Sequence, residues 1–148
     1  MSLIESLQED LKRAMKAKDA LRLSTIRLLK SSVSYARIEK GDELTDDEVL
    51  DVISREAKKR RESIDMAERG GRLDIAERER AELDIIREYL PQQLGEEQAE
   101  AIAREVVDEV GAQDLKDRGK VMSPLMQRLR GQADGKMVSQ VVERILRG

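Results

Sequence analysis

The sequence predicts an all-α fold, with a four-helix N-terminal domain over residues 1–93 and a small three-helix C-terminal domain over residues 94–148. Three observations predict it. Apolar residues recur at three- and four-residue spacing along most of the chain, which puts them on one face of a helix. No stretch shows the apolar/polar alternation of a half-buried strand. Residues that open and close helices stand where the periodic segments begin and end.

Ser2 and Glu5 form the capping box of a first helix that runs to about Lys18 with Leu3, Leu7, Leu11 and Met15 inward. Asp19 caps a second helix reaching Lys40, with Leu23, Ile26, Leu29, Val33 and Ala36 toward the core, and Gly41 closes it. Thr45 and Glu48 repeat the capping box for a third helix, which runs to Arg69 and uses Val49, Ile53, Ala57 and Ile64 as a narrow apolar face. Gly70-Gly71 breaks the chain before a fourth helix, about Leu73–Leu90, carrying Leu73, Ala76, Leu83, Ile86 and Leu90. Pro91 ends that helix, because the residue before a proline is pushed out of the α region. "PQQLG" (91–95) is the predicted linker.

A fifth helix, about Glu96–Val110, presents Ile102, Ala103, Val106, Val107 and Val110 and stops at Gly111. One later stripe is Val121, Met122, Leu125, Met126 and Leu129; another is Met137, Val138, Val141, Val142, Ile145 and Leu146. Pro124 interrupts the first of these. Inside a helix it would clash with the Lys120 carbonyl, so the pattern predicts a kink, or a restart with Ser123 as cap and Pro124 at the first helical position.

Composition narrows the chemistry. Charged residues make up 40% of the chain, there is no Phe or Trp, and Tyr35 and Tyr89 are the only aromatics, so the core must be aliphatic. Met15, Met122, Met126 and Met137 fall on apolar stripes and are assigned to it. The absence of Cys removes disulfides and thiolate chemistry, and the absence of His removes the usual general base and zinc ligand. No catalytic residue, metal site or cofactor is assigned. "DELTDDE" (42–48) lacks the glycine and terminal glutamate of a calcium loop and reads as an acidic helix start. No apolar run reaches the roughly 18 residues of a membrane span. The acidic, amphipathic "MSLIESLQED" does not read as a signal peptide, so the expected setting is cytoplasmic.

The net charge of −3 is unevenly spread: residues 1–41 carry +4, residues 42–110 carry −11 and residues 115–148 carry +5. "REAKKRRES" (55–63) resembles a nucleic-acid patch. However, Asp51–Arg55, Glu56–Arg60, Lys58–Glu62 and Arg61–Asp65 stand four apart, which predicts a solvated, self-paired face with only Lys59 lacking such a partner. "LRGQADGKMVSQVV" (129–142) is the remaining candidate. Gly131 suits a helix end and Asp134 a helix start. Lys136 falls in the first turn of the last helix, where a cation is mildly unfavourable, and Gly135 would let backbone approach an anion. Arg128, Arg130, Gly131, Gly135 and Lys136 are therefore the candidate phosphate-contacting residues for RNA, and the spacing is neither a P-loop nor a dinucleotide fingerprint. Without stacking aromatics, RNA contact would be directed at backbone and shape. The competing reading is a helical protein–protein adaptor with no RNA role.

"LKRAMKAKDALRLSTIRLLKSSV", "GRLDIAERERAELDIIREYLPQQL" and "RGKVMSPLMQRLRGQADGKMVSQVVERIL" together resemble the YqeY-like family along essentially the whole chain, most specifically in "EYLPQQL" and "GQADGKMVSQVV". This family looks like a free-standing relative of the tail domain of GatB, a subunit of the bacterial tRNA-dependent amidotransferase. The resemblance implies an all-helical protein linked to glutamine-dependent carbon–nitrogen ligation, through a tail that contacts tRNA or aminoacyl-tRNA. It also implies a translation-related protein as partner and no catalytic residue of its own. Gly131, Ala133 and Val138 match the turn of that tail, while Gln132, Asp134 and Gly135 depart from it.

Overall fold

A computed structural model describes residues 1–148. It contains seven α-helices and no strand: α1 (Leu3–Ala17), α2 (Ala20–Lys40), α3 (Asp46–Arg69), α4 (Leu73–Arg87), α5 (Glu96–Val110), α6 (Arg118–Arg128) and α7 (Gly135–Arg147), with a 3-10 turn at Leu115–Asp117. Contacts gather the chain into two compact units, Met1–Pro91 and Gln92–Gly148. No helix is long and apolar enough to cross a membrane.

In the first unit, local chemistry sets the helix ends. The Ser2 hydroxyl accepts from the Glu5 N–H at 3.1 Å, and the Glu5 carboxylate accepts from the Ser2 N–H at 3.3 Å. Asp19 accepts from the Arg22 N–H at 3.1 Å, and Gly41, at φ +78°, closes α2. At the start of α3 the Thr45 hydroxyl accepts from the Glu48 N–H at 3.2 Å and Glu48 accepts from the Thr45 N–H at 3.0 Å. Glu48 also accepts from the Lys40 ammonium at 2.6 Å, tying the end of α2 to the start of α3.

The Lys40 hydrogen bond first, and the Thr45 N–H second, hold the Glu48 carboxyl at about 2 against an ordinary 4.5. A depressed acid stabilises the fold above its ordinary pKa, and that contribution is lost as pH falls through the folded value. We expect a carboxyl-detected NMR titration to place the Glu48 midpoint near 2, and Glu48→Gln to shed the matching part of the acid-unfolding limb. A midpoint in the usual glutamate range would refute the three-way bond.

The core of this unit is built from Leu7 and Ala14 of α1, Ile26, Leu29 and Val33 of α2, Val49, Val52, Ile53 and Ala57 of α3, and Leu83 and Ile86 of α4. Two residues expected in it are exposed, Met15 at 53% and Leu73 at 68%. Four residues advance a helix by about 400°, so the 3–7–11–15 series drifts outward by about 40° at each step. Ala14 takes the inward position in place of Met15. Where α3 and α4 meet near the Gly70-Gly71 turn, the buried side chains are Ala67 and Ala76. Leu73, the first residue of α4, lies outside them.

α4 ends at Arg87, short of the expected Leu90. The segment that follows is fastened down. The Arg22 guanidinium donates to Glu88 at 3.0 Å, and the Tyr89 hydroxyl donates to Asp10 at 2.5 Å. Burial, reinforced by the Asp10 carboxylate, pushes the Tyr89 phenol above its ordinary range.

The second unit packs α5, α6 and α7 around Ala99, Ala103, Val106, Val121, Leu125, Leu129, Val138, Val141, Val142 and Leu146, with Met122, Met126 and Met137 partly buried against them. Here the sequence pattern needs one correction: α6 runs unbroken through Pro124 and does not restart there. Val121 and Leu125 are fully buried on either side of the proline, while Lys120, whose carbonyl lacks the proline N–H, lies on the exposed side. Packing of the buried face offsets the missing hydrogen bond, and solvent can serve the carbonyl. The "QQL" segment is also tied down. The Leu94 N–H donates to the Gln132 carbonyl at 2.8 Å, and the Gln93 side-chain amide donates to the Gly131 carbonyl at 2.7 Å.

Candidate functional site

The candidate turn joins α6 to α7. Buried Leu129 anchors its start, Gly131 takes the left-handed conformation at φ +75°, and the Gln132 N–H donates to the Leu129 carbonyl at 2.8 Å. The two bonds from Gln93 and Leu94 then hold the loop from below. At the start of α7 the Asp134 carbonyl accepts from the Val138 N–H at 3.0 Å, but the Asp134 side chain makes no capping bond. A Cβ on Gly135 would meet the Met126 methyl at 3.8 Å, an ordinary contact, and its φ is not positive. Nothing in the backbone demands glycine at position 135; what glycine provides there is an open approach to the first amides of α7.

The five predicted residues divide. Gly135 and exposed Lys136 lie together at the α7 N-terminus, and Arg130 is exposed in the loop before them. Gly131 is half-buried, with its carbonyl committed to Gln93. Arg128 turns toward α5, where its guanidinium donates to Glu109 at 2.6 Å and lies 3.5 Å from Glu105. Other cations of the segment are spent in the same way. Arg144 donates to Glu96 at 2.7 Å and lies 3.6 Å from Glu100, and Arg118 pairs with Glu143 at 3.2 Å and with Ser139. The Glu96 bond pushes the Arg144 guanidinium further into its charged form. Residues 92–148 hold 9 Lys/Arg against 10 Asp/Glu, so the positive charge of residues 115–148 is answered by the acids of α5.

A second polar site joins α3 to α2 and α4. On α3, Glu56 is buried, not solvated. It accepts from the Ser32 hydroxyl at 3.0 Å and from the Lys59 ammonium at 3.2 Å, and lies 3.5 Å from the Arg60 guanidinium. Arg60 also turns inward, donating to Glu82 at 2.9 Å and lying 3.3 Å from Glu79 on α4. Lys59, expected to lack a partner four residues away, finds one three residues back. The signal was present: Val49, Ile53, Glu56 and Arg60 share one face at four-, three- and four-residue spacing.

The protein is all-helical, and its buried Glu56 and Arg60 tie α3 to α2 through Ser32 and to α4 through Glu79 and Glu82. The chain belongs to the Yqey-like protein family, whose profile matches residues 4–146. It is similar to three proteins named "Altered inheritance of mitochondria protein 41, mitochondrial". The one from Lachancea thermotolerans is 39% identical over 90 residues, which is 60% of this chain and 48% of that protein. The one from Pyrenophora tritici-repentis is 26% identical over 147 residues, covering 97% and 81%. The one from Eremothecium gossypii is 38% identical over 85 residues, covering 57% and 46%. The chain thus spans about half the length of two of these relatives.

These names overturn the cytoplasmic expectation, since the relatives are designated mitochondrial. Addresses are written in targeting segments and not in the composition of the folded body. The lack of Cys and of long apolar runs therefore carried no information about compartment.

Proposed function

We propose that the protein is a non-catalytic accessory factor related to the tRNA-dependent amidotransferase, and that it contacts tRNA phosphate through the start of α7. That enzyme is a carbon–nitrogen ligase with glutamine as amido-nitrogen donor. In this reading residues 1–93 and 94–148 are separate domains, the second corresponding to the GatB tail. The observation that carries the reading is the α7 N-terminus: it has no side-chain cap, opens on Gly135 and sets exposed Lys136 in its first turn. Helix amides and a cation together suit a phosphate. Arg130 supplies a second charge, while Arg128 serves the fold by pairing with α5.

The test is tRNA binding at two salt concentrations. Phosphate contacts release counterions, so with about two contacts log K should fall by roughly 1.4–1.8 per log unit of salt, from an affinity on the order of the 10⁻⁴–10⁻⁶ M usual for non-specific association. Arg130→Glu with Lys136→Glu should abolish binding without altering helicity. The double reversal Lys58→Glu and Arg61→Glu on α3 should leave it largely in place. Absence of binding at low salt, or loss only in the α3 variant, would remove the RNA role.

A further inference from the structure

In a chain of which 40% is charged, one exposed stripe of α2 carries no charge. Ser24, Leu28, Ser31, Tyr35 and Ile38 follow one another at helical spacing on one face. Leu28 is 37% exposed, Tyr35 70% and Ile38 75%. From Leu28 to Ile38 the stripe runs about 15 Å along the helix. Beside it, α2 and α3 enclose a groove of about 370 Å³, with Tyr35 and Ala36 on one wall and buried Val52 below.

The rims are basic. Arg55 of α3 lines the far wall of the groove beside Lys59, whose ammonium is engaged by Glu56, and exposed Arg27 lies on the opposite flank of the stripe. Glu56, the buried acid of the groove, is already answered by Ser32, Lys59 and Arg60. Glu39 is the exposed acid of the groove lining and gives the surface a polarity along its length.

We propose that this face of the first unit docks an amphipathic α-helix of a partner protein, with apolar anchors on successive turns and acidic residues on its flanks. An apolar centre with charged rims is the pattern of helix-in-groove recognition. Single-stranded nucleic acid calls for aromatic platforms tracked by cations, whereas here the centre is largely aliphatic and the cations stand at the edges. This site is independent of the α7 turn.

The experiment uses the full chain labelled with ¹⁵N and three probes. Two are synthetic amphipathic peptides with the same leucine anchors, one flanked by Glu and one by Lys; the third is a short single-stranded RNA. The Glu-flanked peptide should shift the amide resonances of Leu28, Tyr35, Ile38 and Val52. Arg27→Glu with Arg55→Glu should weaken it by about tenfold or more, as for charge reversal at a complementary rim. Tyr35→Ser with Ile38→Ser should weaken it similarly while the thermal melt stays unchanged, because both side chains are exposed. Equal binding of the Lys-flanked peptide, shifts confined to other residues, or no binding at all would overturn the proposal. So would the RNA perturbing the same resonances, or a dimer of the free chain that the Tyr35→Ser, Ile38→Ser variant dissolves.

Discussion

Arg60→Ala is expected to destabilise the first unit by about 3–5 kcal/mol, the cost of breaking a buried ion network by removing one partner. The Arg60 side chain is 12% exposed and faces Glu56 at 7%, Glu82 at 14% and Glu79 at 24%. Without the guanidinium these carboxylates lose their common counter-charge in a poorly solvated place; Lys59 and the Ser32 hydroxyl remain on Glu56 and Arg78 on Glu82, but Glu79 keeps no paired cation. For a body of this size each kcal/mol moves the melting temperature by roughly 4–8 °C, so the midpoint should fall by at least about 12 °C. Lys58→Ala, on the exposed side of the same helix, should change stability by less than about 0.5 kcal/mol. Differential scanning calorimetry of both variants decides the matter. A similar small loss in each would mean that the network contributes nothing beyond surface pairing.

Arg60 marks the boundary of what a local pattern carries. The i,i+4 pair with Glu56 was legible because it lies within one helix. The partners Glu79 and Glu82 lie on α4, and no local pattern announces them. Helix starts were legible for the same reason: the capping bonds of Ser2/Glu5, Thr45/Glu48 and Asp19 are made within their own first turns. Where a helix face depends on its neighbours, the pattern misled. Met15 followed a strict four-residue series that the helix does not keep, and Leu73 was periodic but is the first residue of α4 and stays exposed. At the candidate turn, the left-handed Gly131 and the start of α7 after Asp134 were readable from residue type. The destination of Arg128 was not, since Glu105 and Glu109 belong to a helix some twenty residues earlier.

Leu125→Ala should unfold residues 92–148 and leave residues 1–91 folded. Leu125 is fully buried, adjacent to Pro124, in a core whose largest fully buried members are Leu125 and Leu129. Truncating a buried leucine costs about 2–5 kcal/mol. A single core of this size rarely supplies more than about 3–5 kcal/mol, so the loss consumes most of what holds the unit together. Packing on both sides of Pro124 is also what keeps α6 continuous there, so a cavity at Leu125 removes support where the backbone ladder is already one bond short. The first unit has its own core. In a ¹H–¹⁵N spectrum of Leu125→Ala, cross-peaks from residues 92–148 should collapse toward random-coil positions while those of α1–α4 keep their dispersion. The wild-type chain should correspondingly yield a protease-resistant fragment ending near Pro91 once the second unit is destabilised. If both sets of peaks collapse together, in one transition, the two units share a single cooperative fold and the proposed division into separate domains falls.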